Sequence, residues 1–293
     1  MTAAFPRGSK VPTQSPLFWV THKDRYLRQL LIQDIERDTK RDLLVYFADV
    51  DNSAAVIDPG DDQFFYELLQ GLGSRPVDLM LETNGGFTDP TEKICSLLRS
   101  LAPDLRVIVP RRAKSNGTVI ALAGKSIVMS AASELGPIDP HVQGIPADFV
   151  IKQPASYPPA LVSFALSASQ QTQSLATMLL ETGMLAGKNP AEIATIVGKL
   201  ATRDHYASHG SVIDVHEAIQ LGLVVEELSV EDELWQKLWL LRTMYAYDCP
   251  RSGGNLWTHL DGFSESILRW IAASSESILR WIASEAEQES ARW

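Results

Sequence analysis

Only two of the 293 residues are cysteine, Cys95 and Cys249, so no disulfide framework can staple a small extracellular fold. The pair fits a reducing cytoplasm, with Cys95 expected as a small core residue on a helix. Basic residues are also scarce: 26 Lys and Arg stand against 36 Asp and Glu, a net charge of −10. A nucleic-acid surface needs a basic face to neutralise phosphates, and Arg111, Arg112 and Lys114 make only a local positive spot. No apolar run reaches the roughly eighteen residues of a membrane-crossing helix, and Met1–Gly8 lacks the apolar segment of a secretory signal. The sequence therefore predicts a cytoplasmic protein without stable membrane insertion. It has neither a Walker-type phosphate loop nor a Gly-x-Gly-x-x-Gly fingerprint. No metal or nucleotide cofactor is implied, and any ATP-driven unfolding of a substrate falls to a separate partner.

What is present reads as an α/β fold. The composition, 45% hydrophobic and 21% charged, is that of an ordinary globular chain with one main domain and appendages. The pattern predicts an N-terminal extension over 1–40, a main domain over 41–228 and a helical C-terminal extension over 229–293. Asp42–Ala48, Val77–Glu82, Leu105–Pro110 and Ser126–Met129 are short, mostly apolar runs bounded by turn signals, as core strands are. Thr91–Leu98 has apolar residues at helical spacing, and residues 157–200 read as two helices broken around Gly183, Gly187 and Asn189-Pro190. Asp58, Asp61 and Asp62 read as a solvated helix start; they lack the spacing of a calcium loop.

Two motifs carry chemistry. Asn84-Gly85-Gly86 follows a predicted strand, and a glycine pair there can turn backbone N–H groups toward a developing oxyanion without an intervening side chain. About thirty residues on, Ala113-Lys114-Ser115-Asn116-Gly117-Thr118 opens a helix of small, apolar residues. A serine there is ordinarily an N-cap; beside a helix N-terminus it can also serve as an activated nucleophile. Together the motifs suggest acyl transfer.

With Ile127-Val128-Met129, Ser133-Glu134-Leu135-Gly136-Pro137-Ile138-Asp139-Pro140, Thr202-Arg203-Asp204-His205-Tyr206 and Glu217–Val224 added, the chain over about 75–227 resembles the Clp/crotonase-fold serine peptidases. The similarity is greatest to their serine dehydrogenase proteinase (SDH) branch, related to signal peptide peptidase A and to Clp proteolytic subunits. That resemblance implies a Clp/crotonase-like repeated β-β-α spiral and a soluble serine endopeptidase acting as a homo-oligomer. Its substrate would be a peptide or protein, the tail of a membrane protein included. Ser115 becomes the nucleophile, the amides around Gly85 and Gly86 form the oxyanion hole, and Asp204 takes the position of the Clp triad aspartate.

Three residues compete as the base. His209 lies near Asp204 in sequence and could be oriented by it. Lys152 follows the apolar Phe149, Val150 and Ile151, and would need burial to depress its pKa. His141 has the Asp139-Pro140 turn beside it. Lys114 adjoins Ser115 but should point away, holding the loop or a substrate carboxylate. Two further readings stay open: a crotonase-type acyl-CoA enzyme, which would rely on carboxylates, and a Clp-fold scaffold that has lost catalysis.

The C-terminal extension contains a perfect repeat, Ser264–Ala272 recurring as Ser275–Ala283. Its eleven-residue period matches about three helical turns, which predicts an apolar, Trp-bearing helix face. Such a face would pack on another subunit, a partner or the enzyme body; alternatively, the second copy merely lengthens a helix.

Overall fold

A computed structural model describes residues 16–21, 23–52, 55–70, 72, 75–251 and 267–271. Two helices, α1 (Pro16–Thr21) and α2 (Lys23–Thr39), lead into strand β1 (Asp42–Ala48) and helix α3 (Asp61–Gln70). Next come β2 (Val77–Glu82), α4 (Thr88–Leu101), β3 (Leu105–Ile108), β4 (Arg112–Ala113), α5 (Asn116–Ala121) and β5 (Ser126–Met129). A β-rich stretch, β6 (Glu134–Leu135), β7 (His141–Val142) and β8 (Ile145–Pro146), precedes α6 (Ala147–Lys152), the long α7 (Pro159–Thr182) and α8 (Pro190–Ala201). The described chain closes with α9 (Val215–Leu221), β9 (Val225–Glu227), α10 (Glu233–Arg251) and β10 (Ile267–Ile271).

The central sheet runs β10-β1-β2-β3-β5-β9 and is parallel except for β10, which pairs antiparallel with β1. Strands of a parallel sheet are covered on both faces, which explains why β1 and β2 are buried along their whole length. Side chains alternate between two cores. Leu44 and Tyr46 of β1 join the larger one, with α3, α4, α5, α7 and α8; Leu43, Val45 and Phe47 face a second one, with Ile32 and Ile35 of α2 and Trp235, Leu238, Leu241 and Tyr245 of α10. Helices α2 and α10, far apart in the chain, therefore share a core with the sheet. Arg28 pairs with Asp248, Lys237 Nζ lies 2.6 Å from Asp38, and Arg242 reaches the buried Glu82 at 2.6 Å, tying α10 to α2 and to β2. Cys95 is wholly buried, as expected, and burial pushes its thiol up to about 12.

Two local expectations are revised. Asp61 is not solvated: it is buried, and Oδ2 accepts the Tyr46 hydroxyl at 2.8 Å and the Asp58 N–H at 2.9 Å. The first repeat copy is not helical over Ile267–Ile271, which is a strand. Ile267, Trp270 and Ile271 are of types that favour extended backbone, and β1 would otherwise present an open row of N–H and C=O groups. The second copy lies outside the described residues.

Glu36, near the end of α2, accepts the Leu43 N–H at 3.0 Å. Burial pushes its carboxyl from 4.5 up to about 7. The native chain thus holds a proton that the unfolded chain has released between those values, so this group's contribution to stability is lost as pH rises through that window. Glu36→Gln keeps the acceptor and removes the titration. Denaturant melts from pH 4.5 to 8 should show the variant gaining on wild type as pH rises; parallel curves would disprove the assignment.

Candidate active site

Ser115 sits at the crossing of two chain segments. Beyond β2, Thr83 bridges Ala113 of β4 in parallel: Thr83 N–H donates to Arg112 O at 2.9 Å, and Lys114 N–H donates to Thr83 O at 3.0 Å. The following turn is thereby laid against the start of α5. Gly85, at φ +100°, touches the serine so closely that a Cβ would stand 2.8 Å from Ser115 Cβ and 2.9 Å from Lys114 O. Asn116 Nδ2 donates to Gly86 O at 2.7 Å and fastens the other side. Ser115 itself has φ +53° and ψ −123°, a left-handed conformation that a residue with a side chain adopts at a cost. Its hydroxyl makes no N-cap hydrogen bond, so the ordinary reason for a serine at this position does not apply. Gly85 N–H is committed to Thr83 Oγ1 at 3.0 Å. Among the described residues, Gly86 N–H and the first helical amide, Asn116 N–H, have no such acceptor.

A second cluster is held beside this loop. Lys114 Nζ donates to Leu135 O at 3.0 Å and to Ser211 O at 2.9 Å, and pairs with Glu134 at 3.2 Å. Leu135 and Ile213 bridge each other antiparallel, and Thr118 Oγ1 accepts Gly136 N–H at 3.0 Å. Residues 134–139 and 209–213 are thus stitched to the neighbours of Ser115. There His209 Nδ1 lies 2.7 Å from Asp139 Oδ1, and Arg203 Nε donates to Asp139 Oδ2 at 2.6 Å. A carboxylate only accepts, so the His209 proton belongs on Nδ1 and the Nε2 lone pair is left free. Asp139 is 1% exposed. Burial pushes its carboxyl up, but the hydrogen bonds and charges of His209 and Arg203 together hold it below its usual range. His141 packs edge-on against His209 with ring centroids 4.5 Å apart, and its Nε2 faces Arg203 Nη2 at 3.3 Å. Burial, then the charges of His209 and Arg203, lower its pKa.

The other residues singled out in the sequence lie differently. Asp204 does not meet His209: it is 73% exposed and pairs with Lys152 at 2.6 Å. Lys152 is itself 46% exposed and also pairs with Asp148 at 2.8 Å; hydrogen bonds to the two carboxylates raise its pKa, the reverse of what a lysine base requires. Lys114 commits its ammonium to Leu135 O, Ser211 O and Glu134 and so holds the loop.

The profile of the ClpP-like SDH-type serine proteinases matches residues 69–247. The chain belongs to that family. It is 32% identical over 169 residues to the uncharacterised protein MJ0137 of Methanocaldococcus jannaschii, a match covering 55% of this chain and 57% of the relative. To MJ1495 of the same organism it is 35% identical over 77 residues, 26% of each chain. The chain thus spans little more than half of the longer match. Among solved structures, a ClpP1 variant from Listeria monocytogenes shares 14% identity at a TM-score of 0.44, covering 72% of this chain and 99% of that one. A mutant of the 1510-N membrane-bound stomatin-specific protease shares 21% at 0.40, covering 62% and 79%. No described helix is long and apolar enough to cross a membrane.

Within this ClpP-like SDH-type chain, sequence reasoning passed over Asp139, Arg203 and Asn116. The available signal for Asp139 was an acid set between Ile138 and Pro140 in an otherwise apolar block, a position that in a folded chain calls for a charged partner. Gly85→Ala should force Ser115 out of place and strain the turn at positive φ. The expected loss is about 1–3 kcal/mol of stability in a urea melt, together with loss of serine labelling by a fluorophosphonate; an unaltered melt with full labelling would refute the close-contact reading.

Proposed function

We propose that the protein is a serine endopeptidase in which Ser115 attacks the peptide carbonyl, His209 accepts its proton and Asp139 orients His209. What supports this reading is an uncapped Ser115 at positive φ together with a His209–Asp139 pair whose free nitrogen is the acceptor-capable one, on segments that Lys114 ties to the serine loop. His209 and Ser115 share no hydrogen bond in this structure, so the proton-transfer contact would form as substrate binds. Asp139 stabilises the imidazolium as it forms, and Arg203 keeps that buried carboxylate ionised. Gly86 N–H and Asn116 N–H are the donors that take up the negative charge of the tetrahedral intermediate, since Gly85 N–H is already used. The proton then passes from His209 to the leaving amine, and water repeats the sequence to release the acyl group. Asp204 and Lys152 form a surface ion pair outside this chemistry.

The same reading extends to the protein's setting. Phe149, Phe164 and Leu166, on α6 and α7, are 45%, 64% and 51% exposed, and large apolar side chains of this kind support assembly of identical subunits through these helices. Two free, buried cysteines fit a reducing cytoplasm. The substrate is a peptide or protein segment, the exposed tail of a membrane protein included.

Fluorophosphonate labelling tests the mechanism. Wild type should label and Ser115→Ala should not. His209→Gln and Asp139→Asn should slow acylation by roughly 10²–10⁴-fold, while Lys152→Met and Asp204→Asn stay within about threefold, as for an exposed pair. The reverse pattern, with Lys152→Met inactive and His209→Gln unaffected, would replace the base.

A further inference from the structure

The His209–Asp139 pair has a neighbour the peptidase reading does not use. His141 starts the surface hairpin β7–β8, and one ligand-capable atom from each of Asp139, His141 and His209 lies within 4.8 Å of the others. We propose that these three side chains bind a zinc-like divalent transition metal, and that the bound ion switches the peptidase off. The inhibitory half of this proposal rests on His209 being the base; the binding half does not.

The donor set selects the ion. Two imidazoles and one carboxylate suit zinc, cobalt, nickel or copper, whereas magnesium and calcium prefer all-oxygen ligands. Three protein ligands leave a fourth, open position for water. Zinc bonds of about 2.0–2.2 Å put tetrahedral ligand atoms roughly 3.3 Å apart. The 2.7 Å between His209 Nδ1 and Asp139 Oδ1 is already inside that span, so closure needs His141 to move inward by about 1–1.5 Å. His141 is exposed on a two-residue strand, and the shift draws it further along the edge-on contact it already makes with His209.

The charge that opposes the ion is Arg203. Its Nη2 contact to His141 Nε2, at 3.3 Å, is the one the metal must replace. Arg203 keeps its other partners, Asp139 Oδ2 at 2.6 Å and Ala207 O at 2.8 Å. Asp139 then bridges, with Oδ1 on the metal and Oδ2 on the guanidinium, as carboxylates around metal sites commonly do. Ligation through Nδ1, the ring nitrogen beside Asp139 Oδ1, removes the base: the imidazole proton is then left on Nε2, which becomes a donor and can no longer accept the serine proton.

Cobalt(II) added to the full-length, tag-free Ser115→Ala protein reads binding without any turnover. Stoichiometric uptake with visible d–d bands is expected, weakened by at least about tenfold in His141→Ala. In wild type, zinc should slow fluorophosphonate labelling by at least about tenfold, and a chelator should restore it. His141→Ala should label at the wild-type rate without zinc and keep labelling with it. Absence of cobalt uptake by the Ser115→Ala protein, or uptake and zinc inhibition unchanged by His141→Ala, would overturn the metal site. Failure of metal-free wild type to label would overturn the peptidase reading instead, and the cobalt result would still stand or fall by itself.

Discussion

The site depends on one close contact, the backbone of Gly85 against Ser115. Two parallel strands end side by side, and the chains leaving them keep bridging through Thr83 and Ala113. That brings the glycine turn under the first residue of α5 with no room for a Cβ. The cost of holding Ser115 at positive φ is offset by the bonds around it: Lys114 to three neighbours, Asn116 to Gly86, and Thr118 to Gly136. Held in this way, the serine backbone is not free to relax into a capping geometry, and its hydroxyl makes no N-cap hydrogen bond.

A similar logic governs the buried carboxylates. Asp78 has Arg41 at 2.6 Å and Arg106 at 2.8 Å, Glu82 has Arg242, and Asp139 has Arg203 and His209. Each charge removed from water is matched by donors from a different segment, so leaving one partner out would strand the other in a low-dielectric site. At Asp78 and Glu82 the effect is architectural, joining strands to one another and to α10. At Asp139 the same requirement fixes the tautomer of a histidine, and so gives a structural salt bridge a chemical consequence.

Much of this was legible beforehand. The four core strands announced themselves as short apolar runs between turn signals, the break between α7 and α8 lay at its Gly and Pro residues, and Ser115 and the glycine turn stood out by residue type and spacing. The pairing of carboxylate with histidine was not. Asp204 is five residues from His209, yet its side chain leaves the surface toward Lys152; Asp139, seventy residues away, is the one beneath the imidazole. Lys152 follows three apolar residues, but it ends α6 with its ammonium in solvent between two carboxylates. The repeat was misread over Ile267–Ile271 because an eleven-residue period describes a helix only if nothing competes, and an open sheet edge competes.

The sequence by itself determined the α/β class, the Ser115 loop and the family blocks, because strand burial, glycine conformation and helix starts are local properties that residue order expresses directly. Only the tertiary structure decided which carboxylate meets which histidine, which amides remain uncommitted and which strand closes the β1 edge. Those are contacts between segments far apart in the chain, and their energy comes from burial and charge pairing that exist only once the segments have packed.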